Sequence, residues 1–309
     1  MSVKHLVSTK DFTKSDFDEI VTRGEKFLTE GISPDLMRGK IVSTLFFQPS
    51  TRTMNGFQSA LLRAGGGWIG VTGTDGISMA KGESLEDTIR TYGGYCDAIA
   101  LRHGDDDAAE RAAEVSRVPV MNCGCGSREH AVGTLMMLMN MRHYLGKLEG
   151  LKVGIYGTPE INRVCKAYVP ILGLYQTKLI IDDLGHFPLP KEVEDLAKAN
   201  GLAELKYGKV DDFIGDVDIL IVTRGLQKGI IPENMFPKEK EELILKSYKP
   251  ITTEHMKKLR PDAFLEMITP RIFEIDTAVD SDPRAIYSKK ELHTEICLAL
   301  MTYLLGIEV

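Results

Sequence analysis

Cysteine is scarce, with five residues in a chain of 309. So few thiols do not make a disulfide scaffold, and a reducing compartment, the cytoplasm, is expected. Cys123-Gly124-Cys125 has His130 nearby, but two thiols one residue apart make a poor chelate. No second pair completes a tetrahedral site. Buried structural thiols are expected there, and neither a metal nor a cofactor is. A basic excess is also lacking. The 38 Lys and Arg face 44 Asp and Glu, a net charge of −6. That balance argues against nonspecific nucleic-acid binding, so an anionic ligand must be held by local cations. No apolar run approaches the roughly 20 residues of a membrane helix, and the start, Met-Ser-Val-Lys-His, carries no signal-peptide core. Neither a membrane nor a nucleic acid is expected as a partner. What is present, 43% hydrophobic and 27% charged residues, is the profile of a soluble globular protein. The length suffices for two domains.

Periodicity and turn residues divide the chain. Thr13 to Leu28 reads as a helix capped by Thr13, with Phe17, Ile20, Val21, Phe27 and Leu28 on one face and Gly31 as its stop. Strands are expected at Ile41 to Phe47, Trp68 to Val71, Asp97 to Arg102 and Val118 to Asn122. Helices are expected at Glu83 to Tyr95, Asp105 to Val115 and Glu129 to Leu145. The pattern then restarts. Strands at Leu151 to Tyr156, Leu179 to Asp182, Asp218 to Thr223 and Ala263 to Met267 alternate with helices at Glu160 to Leu172 and Lys191 to Asn200. An amphipathic helix, Lys289 to Gly306, closes the chain. Such alternation predicts an α/β protein with two doubly wound parallel-sheet domains, helices covering both faces. The break is expected near Gly146 to Leu151, giving domains 1–147 and 148–287.

One stretch stands out: Phe46-Phe47-Gln48-Pro49-Ser50-Thr51-Arg52-Thr53. A β-prone apolar run stops at Pro49. A helical pattern (Phe57, Ala60, Leu61, Ala64) then begins, so Ser50 to Thr53 lie where a strand ends and a helix starts. Free N–H groups and the helix dipole suit that junction to an anion. Three hydroxyls and a guanidinium add phosphate donors. Further on, Thr72 to Gly82 is a polar, aperiodic loop carrying Ser78 and Lys81. A strand ends on Arg102-His103, the end where α/β sheets bind ligands. His130 is placed at the first turn of a helix, an electropositive position that favours the neutral imidazole.

The octet closely resembles Phe-Phe-x-x-Ser-Thr-Arg-Thr, the phosphate-binding signature of the aspartate/ornithine carbamoyltransferase family. The resemblance runs nearly end to end. It implies a carbamoyl-phosphate site made of Ser50, Thr51, Arg52, Thr53, Arg102, His130, Ser78 and Lys81. Arg52, Thr53, Arg102 and His130 are its catalytic members. Ser78 and Lys81 resemble the loop pair that reaches a neighbouring subunit's site, which implies a homotrimer or higher oligomer. A regulatory or catalytic partner chain is a further partner that the resemblance admits. Arg163 matches the arginine that binds the α-carboxylate of aspartate. Thr223-Arg224-Gly225-Leu226-Gln227-Lys228 resembles the Thr-Arg-x-Gln-Lys stretch that holds the side-chain carboxylate. Two arginines suit a dicarboxylic amino acid; the ornithine branch's Ser-Met-Gly and His-Cys-Leu-Pro segments do not occur. By the same resemblance, the active site lies in the cleft between the domains and the last helix, 288–309, packs back on the first. A dehydrogenase is the competing reading of the second half, but Gly154-Ile155-Tyr156-Gly157 lacks the dinucleotide-binding spacing.

The chain also departs from the pattern. Met54 replaces a second Arg. Ala131, Val132 and Gly133 replace Pro, Thr and Gln, and that Gln accepts from the carbamoyl NH2. One extra residue separates Arg224 from Gln227. Met267-Ile268-Thr269-Pro270-Arg271 replaces His-Pro-Leu-Pro-Arg, whose first Pro is taken as cis. A cis bond before Thr269 would cost about 2.5–4 kcal/mol, so a rebuilt loop is expected. The expected function is carbamoyl transfer from carbamoyl phosphate to the α-amine of an acidic amino acid, aspartate, as in pyrimidine biosynthesis. The alternatives are a carbamoyltransferase with another acceptor and a noncatalytic paralogue that binds a phosphorylated ligand or partner chain.

Overall fold

Residues 3–226, 237–289 and 292–309 are described by a computed structural model. The chain forms two compact units, Met1–Met139 with Leu292–Val309, and Asn140–Glu291. The first holds α1 (Lys14–Glu30), β1 (Ile41–Phe46), α2 (Arg52–Arg63), β2 (Gly67–Thr72), α3 (Leu85–Tyr92), β3 (Ala98–Arg102), α4 (Ala108–Val115), β4 (Val120–Asn122) and most of α5 (Ala131–Leu145). The second holds β5 (Lys152–Tyr156), α6 (Arg163–Leu174), β6 (Lys178–Asp182), α7 (Lys191–Ala199), β7 (Glu204–Tyr207), α8 (Val210–Phe213), β8 (Ile219–Val222), α9 (Lys238–Ser247), α10 (Thr253–Lys258) and β9 (Phe264–Met267). The last helix, α11 (His293–Leu304), belongs to the first unit.

Among the described residues the first sheet runs β2-β1-β3-β4 and the second β7-β6-β5-β8-β9. All their strand pairs are parallel. Central β1 is covered on both faces, so even Ser43 and Thr44 are buried beside Val42, Leu45 and Phe46. On one side Leu45, Ile99 and Leu101 cluster with Leu85 and Ile89 of α3 and Ala108 and Ala112 of α4. Elsewhere in this unit α2 packs on β1 and β2, and α11 packs on α1 and α2. Phe17, Phe46 and Phe57 are fully buried, each contributing about 1.5–3 kcal/mol. In the second unit Leu220, Val222, Leu265 and Met267 form a core with Phe213, Ile244 and Tyr248.

The compact units divide within α5, between Met139 and Asn140, and the helix's last turns pack with the second unit's residues. There Asn140 Nδ2 donates to Glu266 Oε2 at 2.6 Å, the Tyr144 ring packs at a tilt against Phe264 and Met141 meets the Tyr168 hydroxyl. Two expectations change. The last helix is not amphipathic. Residues from Glu295 to Thr302 are all buried, and contact with both α1 and α2 leaves it no solvent face. The loop 73–82 holds a short turn at Ser78–Lys81. Among the described residues, no helix is long and apolar enough to cross a membrane.

Candidate active site

In the first unit the candidate ligands lie at or after the carboxyl ends of the strands. The parallel register sets Phe46 beside Thr72 of β2 and Arg102 of β3, and β4 ends alongside at Asn122. The octet, the Ser78–Lys81 loop, Arg102 and the turn to His130 therefore all leave the carboxyl edge of one sheet, the ligand-binding edge of α/β folds. Phe47 N–H donates to the Arg102 carbonyl at 2.8 Å and joins two of these ends. Thr51 is the N-cap of α2 and makes no side-chain cap bond, and the start of a helix is an electropositive end that suits an anion. Asn55 Nδ2 donates to the Thr51 carbonyl at 2.7 Å. Thr53 is buried, Ser50 and Arg52 are half-buried, and Thr51, Ser78 and Lys81 are exposed.

Arg102 is half-buried, and its Nη1 donates to the Cys123 carbonyl at 3.5 Å. Next to it, the His103 ring packs edge-on against Phe47 and its Nδ1 accepts from Asp105 N–H at 3.0 Å. Burial pulls the His103 pKa below its ordinary value, so its neutral form is favoured. His130 is buried and immediately precedes α5 rather than lying in its first turn. The turn before it is held by Asp106, whose Oδ1 accepts from Ser127 N–H at 2.6 Å and Ser127 Oγ at 3.1 Å. Cys123 and Cys125 are buried, and burial pushes the Cys123 thiol well up.

The second unit arranges its candidates likewise. Arg163 follows β5, Arg224 follows β8 and the 268–273 loop follows β9, with β5, β8 and β9 adjacent. Asn162 caps α6 through its Oδ1, which accepts from Val164 and Cys165 N–H, and this fixes the backbone at Arg163. The Arg163 side chain is buried and Arg224 is half-buried. Thr158 joins their loops. Its N–H donates to Thr223 Oγ1 at 2.7 Å and its hydroxyl to the Arg224 carbonyl at 2.9 Å. Gly157 permits that approach: at φ +126 a Cβ there would meet Thr223 Oγ1 at 2.3 Å. Gln227 lies outside the described residues. A cis bond occurs at Thr269–Pro270, not before Thr269.

Glu274 was missed by sequence reasoning. Fully buried, it accepts Gly225 N–H at 2.8 Å on Oε1, and Ile272 and Phe273 N–H at 2.7 and 3.0 Å on Oε2. One carboxylate thus binds the residue after Arg224 to the loop after β9. Burial lowers the Arg224 pKa and the Glu274 charge offsets part of that. The signal in the sequence was a lone carboxylate between Phe273 and Ile275.

In the first unit hydroxyls, arginines and a histidine follow the carboxyl ends of one parallel sheet, and in the second unit two arginines follow the ends of adjacent strands; guanidinium and hydroxyl donors of this kind suit anionic groups. Residues 4–143 match the family described as aspartate/ornithine carbamoyltransferase, carbamoyl-P binding domain. The aspartate carbamoyltransferase catalytic subunit of Thermococcus kodakarensis is 34% identical over 98% of this chain and 97% of its own. That of Methanocaldococcus jannaschii is 36% identical over 94% of each. Among solved structures, the M. jannaschii aspartate transcarbamoylase catalytic subunit superposes with a TM-score of 0.85 at 34% identity, covering 98% of both chains. Aspartate transcarbamoylase of Trypanosoma cruzi, in complex with aspartate and phosphate, gives 0.84 at 25% identity, covering 100% of this chain and 96% of that one. The chain belongs to the aspartate/ornithine carbamoyltransferase family.

Proposed function

We propose that this chain transfers the carbamoyl group of carbamoyl phosphate to the α-amine of L-aspartate. The observation that carries the reading is the shared carboxyl edge from which the octet, the Ser78–Lys81 loop, Arg102 and the His130 turn all leave. Aspartate as acceptor is supported by the two arginines of the second unit and by the names of the relatives. Ser50, Thr51, Arg52 and Thr53, with the first N–H groups of α2, hold the phosphate. Arg102, His130 and Thr53 stabilise the oxyanion that forms when the neutral amine adds to the carbamoyl carbon. The bond from that carbon to the phosphate oxygen then breaks, and the departing phosphate takes the amine proton. Arg163 and Arg224 each grip one carboxylate, with Gln227 beside them. Rate enhancement comes from positioning and electrostatics.

Binding of a phosphonate analogue of carbamoyl phosphate, followed by calorimetry, tests the anion site. Arg52→Ala should weaken it by about 1.5–3 kcal/mol, the worth of a hydrogen bond to a charged group. Equal affinity for wild type and variant would remove Arg52 from the site. Carbamoylated product assayed with aspartate, ornithine and other amino acids identifies the acceptor. Analogue binding without any product would identify a noncatalytic paralogue.

The reading extends to a cytoplasmic homotrimer in which the exposed Ser78 and Lys81 complete a neighbour's site and close over the phosphate. Mixed Arg52→Ala and Lys81→Ala subunits should then regain activity that each variant lacks alone, because some interfaces carry two intact halves. A monomer in sedimentation at assay concentration refutes this.

A further inference from the structure

His130 and Gly133 form a close pair. The Gly133 N–H donates to His130 Nδ1 at 2.9 Å. The first N–H groups of a helix have no partner within it, and this one is satisfied by the ring. The space is as specific as the bond. A Cβ at position 133 would stand 3.0 Å from His130 Cγ and 3.1 Å from Nδ1. Favourable carbon contacts lie at about 3.5–4.0 Å, so any side chain there pushes the imidazole away. The ring has little room to give, since His130 is only 8% exposed.

A ring nitrogen that accepts a hydrogen bond carries no proton. A neutral imidazole holding this bond is therefore protonated on Nε2. We infer that Gly133 is a positioning residue for carbamoyl transfer. Its N–H fixes His130 as the Nε2–H tautomer, and its missing side chain lets the ring lie close to the start of α5. The Nε2–H tautomer is the one that donates to the carbamoyl oxygen in the function proposed above, and the inference rests on that reading. A glycine where a glutamine side chain could accept from the carbamoyl NH2 exchanges that acceptor for close seating of the imidazole.

The test is multiple-bond 1H–15N NMR of the full chain labelled at its seven histidines. It is run near pH 8, above the ordinary histidine range of about 6.5. The His130 signals are those lost in His130→Gln. Wild-type His130 should be neutral and protonated on Nε2. In Gly133→Ala its two nitrogens should move toward each other as the tautomers exchange. The same variant should lose about tenfold in kcat, as a displacement of a few tenths of an ångström implies. Its affinity for the phosphonate analogue should stay within about twofold. Wild-type His130 protonated on Nδ1 overturns the inference, whether or not any variant folds. Unchanged nitrogen shifts in folded Gly133→Ala overturn it as well. If the wild type forms no carbamoylated product, the functional reading fails, and the wild-type tautomer still decides the Gly133–His130 pairing.

Discussion

Arg224→Ala should raise the aspartate concentration needed for half-maximal rate by about a hundredfold, with affinity for the phosphonate analogue nearly unchanged. A guanidinium grips a carboxylate with two parallel N–H bonds. Each charged bond is worth about 1.5–3 kcal/mol, so the lower bound for the pair is about 3 kcal/mol, or a factor of about 10². Arg224 is half-buried and its charge is already disfavoured by desolvation, so a carboxylate ligand would regain part of that cost. Arg224→Lys should recover little, because an ammonium is a point charge without the planar fork. The effect must fall on the acceptor alone, since a carboxylate clamp does not touch carbamoyl phosphate. Steady-state rates with aspartate varied at saturating carbamoyl phosphate measure it. An unchanged aspartate dependence would remove Arg224 from the acceptor site and favour another acceptor.

The strand-to-helix junction of the octet was legible because its signals are local. A buried parallel strand reads as a largely apolar, β-prone run, as in Ile41 to Phe47 with only Ser43 and Thr44 polar, and Pro49 ends it before the helix. The capping box of Thr13 and Asp16, and Gly31 at φ +85, sit where sequence rules put them. What was not legible depends on partners distant in sequence. Strand β7, Glu204–Tyr207, carries two charges in four residues and lies at a sheet edge half in solvent, so no apolar run announces it. The end helix was expected to keep a wet face because nothing in its own residues reveals that both α1 and α2 cover it. The domain break hinges on where Asn140 and Tyr144 find partners, more than a hundred residues away at Glu266 and Phe264. Gly133 looked like the loss of a glutamine. Its contact with His130 is a matter of tenths of an ångström, a scale on which sequence says nothing.

The same distance hid Glu274, where the largest loss of stability is expected. Glu274→Ala should destabilise the second unit by about 3–5 kcal/mol, the usual effect of removing one partner from a buried charged network. Three N–H groups, from Gly225, Ile272 and Phe273, would lose their acceptor. An orphaned buried donor costs about 1–3 kcal/mol, and partial relaxation of the 272–273 loop keeps the total below the sum. For a unit of this size 1 kcal/mol corresponds to about 2–4 °C, so calorimetry should show a Tm lower by about 6–20 °C. Glu274→Gln separates the hydrogen bonds from the charge. Its amide oxygen still accepts, while its NH2 must face a donor on the other side, so it should fall between wild type and Glu274→Ala. It also leaves Arg224 without the negative charge that offsets its desolvation. Aspartate dependence should therefore change in Glu274→Gln even where the protein remains folded. A Tm within about 2 °C of wild type for Glu274→Ala would mean that water or a neighbouring side chain takes over all three N–H groups. The carboxylate would then not be what ties the Arg224 segment to the loop after β9.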